Sequence, residues 1–414
     1  MVAAALVVLA GTLAWVLVSR VAGRVSVTAP ILMTALGLLV AVSPVDPAVD
    51  IALDLEPVRL LVELTLAMIL FADASHISAR WFEGRPARLA LRLLAIGLPL
   101  TIAAGVLAGW ALFPGAALAV VAVLAAALAP TDAALGASVM QDTRIPRRLR
   151  DVINVESGLN DGLATPVVLF FLAVAVAEDD RASVASAVVH ALVQIGLAVL
   201  IGVAVGWLGG RLLVLAHRRG WSEPEQEPLA ALAIALGSYV VSVGAGGNGF
   251  VAAFVAGVAF GTAVRGARPA QVMAFTDRVG LMLSFVVWFL FGAQFLPIAA
   301  GNLGWQVVLY AVLSLTVVRM LPVAVSLLGS RLGRDDVVLL GWLGPRGLAS
   351  IVFGLIAYEE LPADQGGAVV VVITTTVLLS VVAHGLSAGP LASAYVRRAG
   401  ATVSPPAPPA SRRT

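Results

Sequence analysis

Thirteen mostly apolar stretches, each about long enough to cross a bilayer as a helix, follow one another along this chain with only short polar breaks between them. They fall near 2–19, 28–43, 57–75, 88–112, 115–140, 150–177, 184–215, 228–244, 249–264, 275–296, 302–328, 336–358 and 366–394. Roughly 20 apolar residues in a helix cross about 30 Å of hydrocarbon. A soluble core with a polar surface cannot use a chain that is 60% hydrophobic and 12% charged over 414 residues. The pattern predicts an all-α polytopic membrane protein of about 13 transmembrane helices, with the lipid bilayer as its solvent.

The breaks alternate in charge. Arg20 and Arg24, then Arg80, Arg85, Arg88 and Arg92, then Arg144, Arg147, Arg148 and Arg150 fall in or around odd-numbered breaks. So do Arg211, Arg218 and Arg219, then Arg265, Arg268 and Arg278, then Arg331 and Arg334. Even-numbered breaks are acidic or uncharged. They carry Asp46, Asp50, Asp54 and Glu56, then Glu178, Asp179 and Asp180, then Glu359, Glu360 and Asp364, against only Arg59 and Arg181. Because cytoplasmic loops collect arginine, the expected topology is an inner (plasma) membrane protein with its N-terminus outside and its C-terminus, near Arg397 and Arg398, in the cytoplasm. That requires an odd number of spans. The arginine excess therefore reports orientation, not nucleic-acid binding.

The first apolar run lacks a preceding basic region and reads as an uncleaved span, not a signal peptide. Residues 1–395 form the expected transmembrane domain. Residues 396–414, ending in a stretch rich in proline, alanine and arginine, are expected to be a disordered cytoplasmic tail. With no extramembrane stretch long enough for a nucleotide-driven domain, the expected energy source is an ion gradient and no cofactor is called for. The chain has no cysteine, which excludes disulfides and thiolate metal sites.

Ionisable groups at membrane depth cost about 2.5–3.5 kcal/mol on insertion scales and mark function by default. The candidates are Asp132 in the fifth span, Glu156 and Asp161 in the sixth, Arg319 in the eleventh and Arg346 in the twelfth, with Asp73 toward the cytoplasmic end of the third. Two of them sit at helix breaks. Ala129-Pro130-Thr131-Asp132 and Gly344-Pro345-Arg346-Gly347 each combine a proline, which removes a backbone donor, with small flanking residues. Unwound backbone at that depth is tolerated only where it is buried in protein or lines a cavity. Each break lies in the middle helix of a group of three, spans 4–6 and 11–13, and an offset of seven spans inverts the topology. The expectation is an inverted repeat with two crossed, broken helices around a transport site.

Glu156-Ser157-Gly158-Leu159-Asn160-Asp161 is the densest polar cluster in the chain. On a helix Ser157 and Asp161 share one face, while Glu156 and Asn160 share the next. A hydroxyl and a carboxylate on one face, joined by the hydroxyl or freed carbonyl of Thr131, make an oxygen site suited to Na+ at Asp161, Ser157 and Thr131. A carboxylate there can hold either a proton or the cation, and that competition is the chemistry of an antiporter. Glu156 needs a buried partner, for which Arg319 is expected, leaving Arg346 near Asp132 where the broken helices cross.

Thr131-Asp132, the Glu156 to Asp161 cluster, the Gly249 to Gly257 run and Gly344-Pro345-Arg346-Gly347 together resemble the monovalent cation:proton antiporter family, nearest its NhaP-type sodium/proton antiporters, over nearly the full chain. The resemblance implies a thirteen-span homodimer with an NhaA-like antiporter fold. Its core helices, about 88–177 and 302–394, move against a dimerisation scaffold made of the rest. It places ion-site roles on Thr131, Asp132, Ser157 and Asp161, with Asn160 bracing the site, a structural ion pair on Glu156 and Arg319, and a further acidic position on Asp73. Relatives with two adjacent aspartates tend to be electrogenic, so Asn160 beside Asp161 implies electroneutral exchange of one cation for one proton. Two departures bear on selectivity. Ala133 stands where many relatives have proline, and Asp73 is flanked by Ala72 and Ala74 instead of the commoner Glu-Gly surroundings. The expected cation is Na+, with Li+ or K+ as alternatives.

Other signals lead elsewhere. Gly244 to Gly249 matches a dinucleotide fingerprint but follows a hydrophobic helix instead of a strand, so it reads as a tight turn. Gly202 with Gly206 and Gly257 with Gly261 permit close helix packing. The four histidines lack metal-site spacing, and His76 is a candidate sensor of cytoplasmic pH. No nucleophile–base or metal-triad pattern suggests an enzyme. The competing reading is a sodium-coupled symporter of an organic anion on a similar fold.

Overall fold

The computed structural model describes residues 2–22, 27–43, 56–76, 84–132, 135, 142–179, 183–265 and 269–398. Arg24, Asp46, Asp50, Asp54, Arg80, Asp180, Arg181, Arg268, residues 133, 134 and 136–140 of the fifth stretch, Ala133 among them, and the tail from 399 to 414 lie outside the described residues.

Every regular element among those residues is helical. In chain order they are α1 (Val2–Ala22), α2 (Ala29–Val42), α3 (Glu56–Ser75), α4 (Gly84–Arg92), α5 (Leu98–Leu112), α6 (Leu118–Ala127), α7 (Arg147–Asp179), α8 (Val184–Arg218) and α9 (Glu227–Gly244). They continue with α10 (Gly249–Ala263), α11 (Pro269–Leu290), α12 (Leu296–Gly301), α13 (Trp305–Leu315), α14 (Val317–Ser326), α15 (Arg334–Trp342), α16 (Leu348–Glu360) and α17 (Ala363–Arg398). Eight helical stretches among the described residues are long and apolar enough to cross a membrane, and α2, α6 and α10 are shorter apolar helices. The chain is a multi-pass membrane protein.

Proline shapes several of these helices. One π turn (Leu93–Gly97) joins α4 to α5 and another (Phe291–Phe295) joins α11 to α12; each precedes a helix with proline in its first two positions, Pro99 and Pro297. The wider turn absorbs the missing donor and the bulk of the ring without ending the helix. Between α15 and α16 the chain unwinds over 343–347, where the sequence places its Gly-Pro-Arg-Gly break. The other break begins after α6, which stops at Ala127, just before Pro130. The eleventh stretch is also interrupted, which the apolar pattern does not signal: Thr316 (φ −112, ψ −96) separates α13 from α14. α17 runs to Arg398, into the segment expected to be tail.

The Gly244 to Gly249 segment is a tight turn. Gly246 has φ +79, Gly247 N–H donates to Ser242 O (2.7 Å), and Asn248 Oδ1 caps α10 by accepting from Val251 N–H (3.0 Å). α10 packs closely on α8 and α3, and the two spaced glycine pairs make that possible. A Cβ on Gly206 would meet the Ala256 carbonyl, and one on Gly261 would meet the Ser75 carbonyl. Both pairs thus serve contacts inside this chain.

Arg59, one of two arginines among the otherwise acidic breaks, is explained by its partners. It lies 2.8 Å from Glu63 on its own helix and 3.0 and 3.4 Å from Glu359 and Glu360 at the end of α16. The Tyr239 hydroxyl completes the group by donating to Glu63 (2.6 Å). These contacts tie α3 and α9 to the far end of the half-helix whose other end forms the candidate site.

Candidate functional site

The two breaks lie against each other and satisfy one another's backbone. Asp132 N–H donates to Pro345 O (2.7 Å), and Leu348 N–H, in the first turn of α16, donates to Asp132 Oδ2 (3.3 Å). A carboxylate at a helix N-terminus is favoured by the unpaired amides and the helix dipole. At the opposite pole, Arg346 Nη1 donates to the carbonyls of Ala129 (2.9 Å) and Pro130 (3.1 Å), and Nη2 to Ser314 O (3.3 Å). Ser350 Oγ donates to Ala127 O (2.7 Å). The carbonyl end of one broken helix therefore receives a guanidinium, while the amide end of the other receives a carboxylate. Arg346 stands where the two breaks touch, and its guanidinium serves the carbonyls of the first break while the Asp132 carboxylate serves the amide end of α16.

α7 supplies the second half of the site. Ser157 and Asp161, four residues apart on the helix, come to one cavity, whereas Glu156 and Asn160 reach different partners. Ser157 and Asp161 line a cavity of about 230 Å³. Glu156 turns the other way, with Oε1 2.6 Å from Arg319 Nη2, both side chains being buried. Asn160 Nδ2 donates to Thr131 Oγ1 (2.6 Å), which also shares a hydrogen bond with Ser157 Oγ (3.1 Å). Thr131 is thus the oxygen through which the broken helix and α7 are joined.

Asp73, Asp132 and Asp161 all face the cavity, together with Thr131 and Ser157. Asp73 comes from α3 and packs opposite Gly158, where a Cβ would lie 3.8 Å from its own. Phe285 and Trp288 of α11 close the apolar side. Among the described residues no group of three or more His, Cys, Asp or Glu converges on a metal position. The three carboxylates face one volume without meeting at a point.

Glycine at 347 is a steric requirement of this arrangement. A Cβ there would overlap Asp132 Oδ2, so Gly347→Ala must push the carboxylate off the α16 amide. We expect the variant to lose about 1–3 kcal/mol of stability, the usual cost of overpacking, and to bind cation more weakly. Thermal melting with and without cation measures both effects.

His76, at the end of α3, is exposed, and its Nε2 lies 3.2 Å from both oxygens of Asp277 on α11. The hydrogen bond to that carboxylate raises its proton affinity above that of a free histidine, despite partial desolvation. It bridges two helices that also line the cavity.

A family model for the transmembrane sodium/hydrogen exchangers matches residues 6–394. The chain belongs to the sodium/hydrogen exchanger family. This is a transporter family, not one of enzymes. The uncharacterized Na(+)/H(+) exchanger YjcE of Escherichia coli is 28% identical over 270 residues, covering 64% of this chain and 48% of its own length. The K(+)/H(+) antiporter NhaP of Alkalimonas amylolytica is 28% identical over 271 residues, 65% of this chain and 46% of its own length. The chain spans about half the length of these curated relatives. The solved structure of the sodium proton antiporter MjNhaP1 of Methanocaldococcus jannaschii at pH 8 matches with a TM-score of 0.76 at 20% identity, covering 95% of this chain and 97% of that one. The fold of this exchanger-family chain is MjNhaP1-like.

Sequence reasoning missed the Leu348 amide as a partner of Asp132, because a backbone N–H has no residue signature. It also missed the apolar wall of Phe285 and Trp288, which the sequence offers only as part of one more hydrophobic span.

Proposed function

We propose that this chain exchanges a monovalent cation for protons across the plasma membrane by alternating access, with Na+ as the cation and Li+ or K+ as alternatives. The observation that carries this reading is the single cavity lined by Asp73, Asp132, Asp161, Thr131 and Ser157. Asp161 is the group for which cation and proton compete, with Ser157 and Thr131 completing the cation's oxygen shell. Asn160 braces Thr131, and Asp132 and Asp73 add negative field. Glu156 with Arg319, and Arg346 with the carbonyls of the break, hold the framework. One carboxylate carrying one proton or one Na+ makes the exchange electroneutral. The family and the names of its relatives support antiport; those names include both Na(+)/H(+) and K(+)/H(+), so the cation rests on the oxygen site.

In this reading the chain crosses the membrane thirteen times with its N-terminus outside and its C-terminus cytoplasmic. Two inverted repeats contribute the broken helices. Residues about 88–177 and 302–394 form a core that slides against the remaining helices, which also form a homodimer. The cavity lies between helices of both groups, as a sliding core requires. In this topology Pro30 and Asp73 line the cavity from the cytoplasmic ends of α2 and α3. A small, carboxylate-rich cavity disfavours an organic anion and with it the symporter reading.

The test is proton efflux from acid-loaded proteoliposomes on addition of Na+, Li+ or K+. Cation-dependent alkalinisation that is indifferent to a clamped membrane potential supports electroneutral exchange, and the ranking of the cations gives selectivity. No cation-dependent proton movement over a broad pH range, from protein shown to be inserted and folded, contradicts the reading.

A further inference from the structure

His384 and Ser380 lie on α17 outside the cavity, and both are fully buried. The sequence offers no reason to connect them with the site. His384 Nε2 is 2.8 Å from the carbonyl oxygen of Trp342, the last residue of α15, and the imidazole stacks on the Trp342 indole at 5.0 Å. The same indole donates to Ser387 Oγ (2.8 Å) on α17. His384 Nδ1 lies 3.2 Å from Ser380 Oγ, and Ser380 Oγ accepts the Arg346 backbone N–H (2.7 Å).

The proton positions follow from the chemistry of the partners. A carbonyl only accepts, so Nε2 carries a proton. The Ser380 hydroxyl already accepts from Arg346 and has its own proton to give, which the Nδ1 of a neutral ring receives. The result is a directed chain: Arg346 N–H to Ser380 Oγ, Ser380 O–H to His384 Nδ1, and His384 Nε2–H to Trp342 O. Nδ1 lies nearer Ser380 O, at 2.9 Å, and in a doubly protonated ring Nδ1–H donates there while the clamp on Trp342 O persists. Either way α17 grips the chain at residue 342, where α15 ends, and at residue 346, inside the break.

We propose that His384 and Ser380 are positioning residues for cation binding. They fix the path of the chain between Trp342 and Arg346, so that the Leu348 amide meets Asp132 and the Arg346 guanidinium meets the carbonyls of Ala129 and Pro130. Without them the break can drift, because its glycines impose little order of their own and the proline fixes only its own φ. The inference rests on the cation-exchange reading for its transport readout only.

The test compares His384→Ala, His384→Gln and Ser380→Ala in the purified full chain. Two concentrations are read: the Na+ giving half-maximal exchange in proteoliposomes, and the Na+ giving half-maximal rise in melting temperature in detergent. His384→Ala and Ser380→Ala are expected to raise both by about tenfold, the scale of one lost buried hydrogen bond, with the maximal rate changed less than about threefold. Glutamine can donate to Trp342 O and accept from Ser380 O–H, and should return both values to within about twofold of wild type. If His384→Ala does not accumulate, Ser380→Ala, which removes one hydroxyl, carries the same comparison. Wild-type half-saturation in the alanine variants, or a glutamine variant as impaired as alanine, overturns the proposal. A wild type that shows the melting shift but no exchange overturns the exchange reading instead and leaves the binding comparison intact.

Discussion

Asp161→Asn protein is expected to insert, fold and carry out no cation-dependent proton movement above the level of protein-free liposomes, a loss of at least about a hundredfold. The reason is local. Asp161 faces the cavity from the same side of α7 as Ser157, and no hydrogen bond to its carboxylate is seen among the described residues. An amide in its place has nearly the same shape but carries neither a titratable proton nor a charge for the cation. Since an ionised group at this depth is costly, removing it should leave melting temperature unchanged or raised while cation-dependent stabilisation disappears. Asp132→Asn makes an informative contrast. Its side-chain oxygen can still accept from the Leu348 amide, so the crossing is kept and the expected loss falls mainly on affinity. An Asp161→Asn protein that still exchanges cation for protons would remove Asp161 from the centre of the account.

Arg319→Gln is expected to destabilise the fold by about 3–5 kcal/mol, the cost of leaving one member of a buried ion pair alone. Glu156 and Arg319 are each about 2% exposed, and the 2.6 Å contact joins α7 to the helix after the Thr316 break. Glu156→Gln should cost a similar amount, and the double variant less than the sum of the two, because no unpaired charge then remains. Melting of the purified variants, or the fraction that elutes as a folded species after extraction, gives the double-mutant cycle. Additive losses would mean that the pair is not coupled.

Much of this site is legible in the sequence because hydrocarbon makes charge conspicuous. In a chain of apolar runs, Asp73, Asp132, Glu156, Asp161, Arg319 and Arg346 stand out without further knowledge, and helical spacing alone separates the cavity face of Ser157 and Asp161 from the buried face of Glu156. The breaks are legible because proline with small residues cannot continue a regular helix. What stays hidden depends on backbone groups or on distance in the chain. The sequence sets Arg346 beside Asp132, yet its guanidinium is held by the Ala129 and Pro130 carbonyls, acceptors that exist only once α6 has ended. Its counterpart, the α16 amide end, is equally invisible in residue types. His384 and Ser380 read as isolated polar residues until α17 lies beside the break. The glycine pairs of α8 and α10 are of a kind that chance supplies in a chain with 40 glycines, and only the close approach of helix backbones gives them meaning.

The most direct measurement of the central claim, that proton and cation share one carboxylate, is the Na+ concentration for half-maximal exchange by the wild-type protein as a function of pH. Competition for Asp161 predicts that this concentration rises about tenfold for each unit of falling pH in the acidic range, while saturating Na+ restores the maximal rate. A half-saturating concentration that stays constant with pH, with only the maximal rate changing, would mean that the two ions bind at separate groups, and would contradict the account.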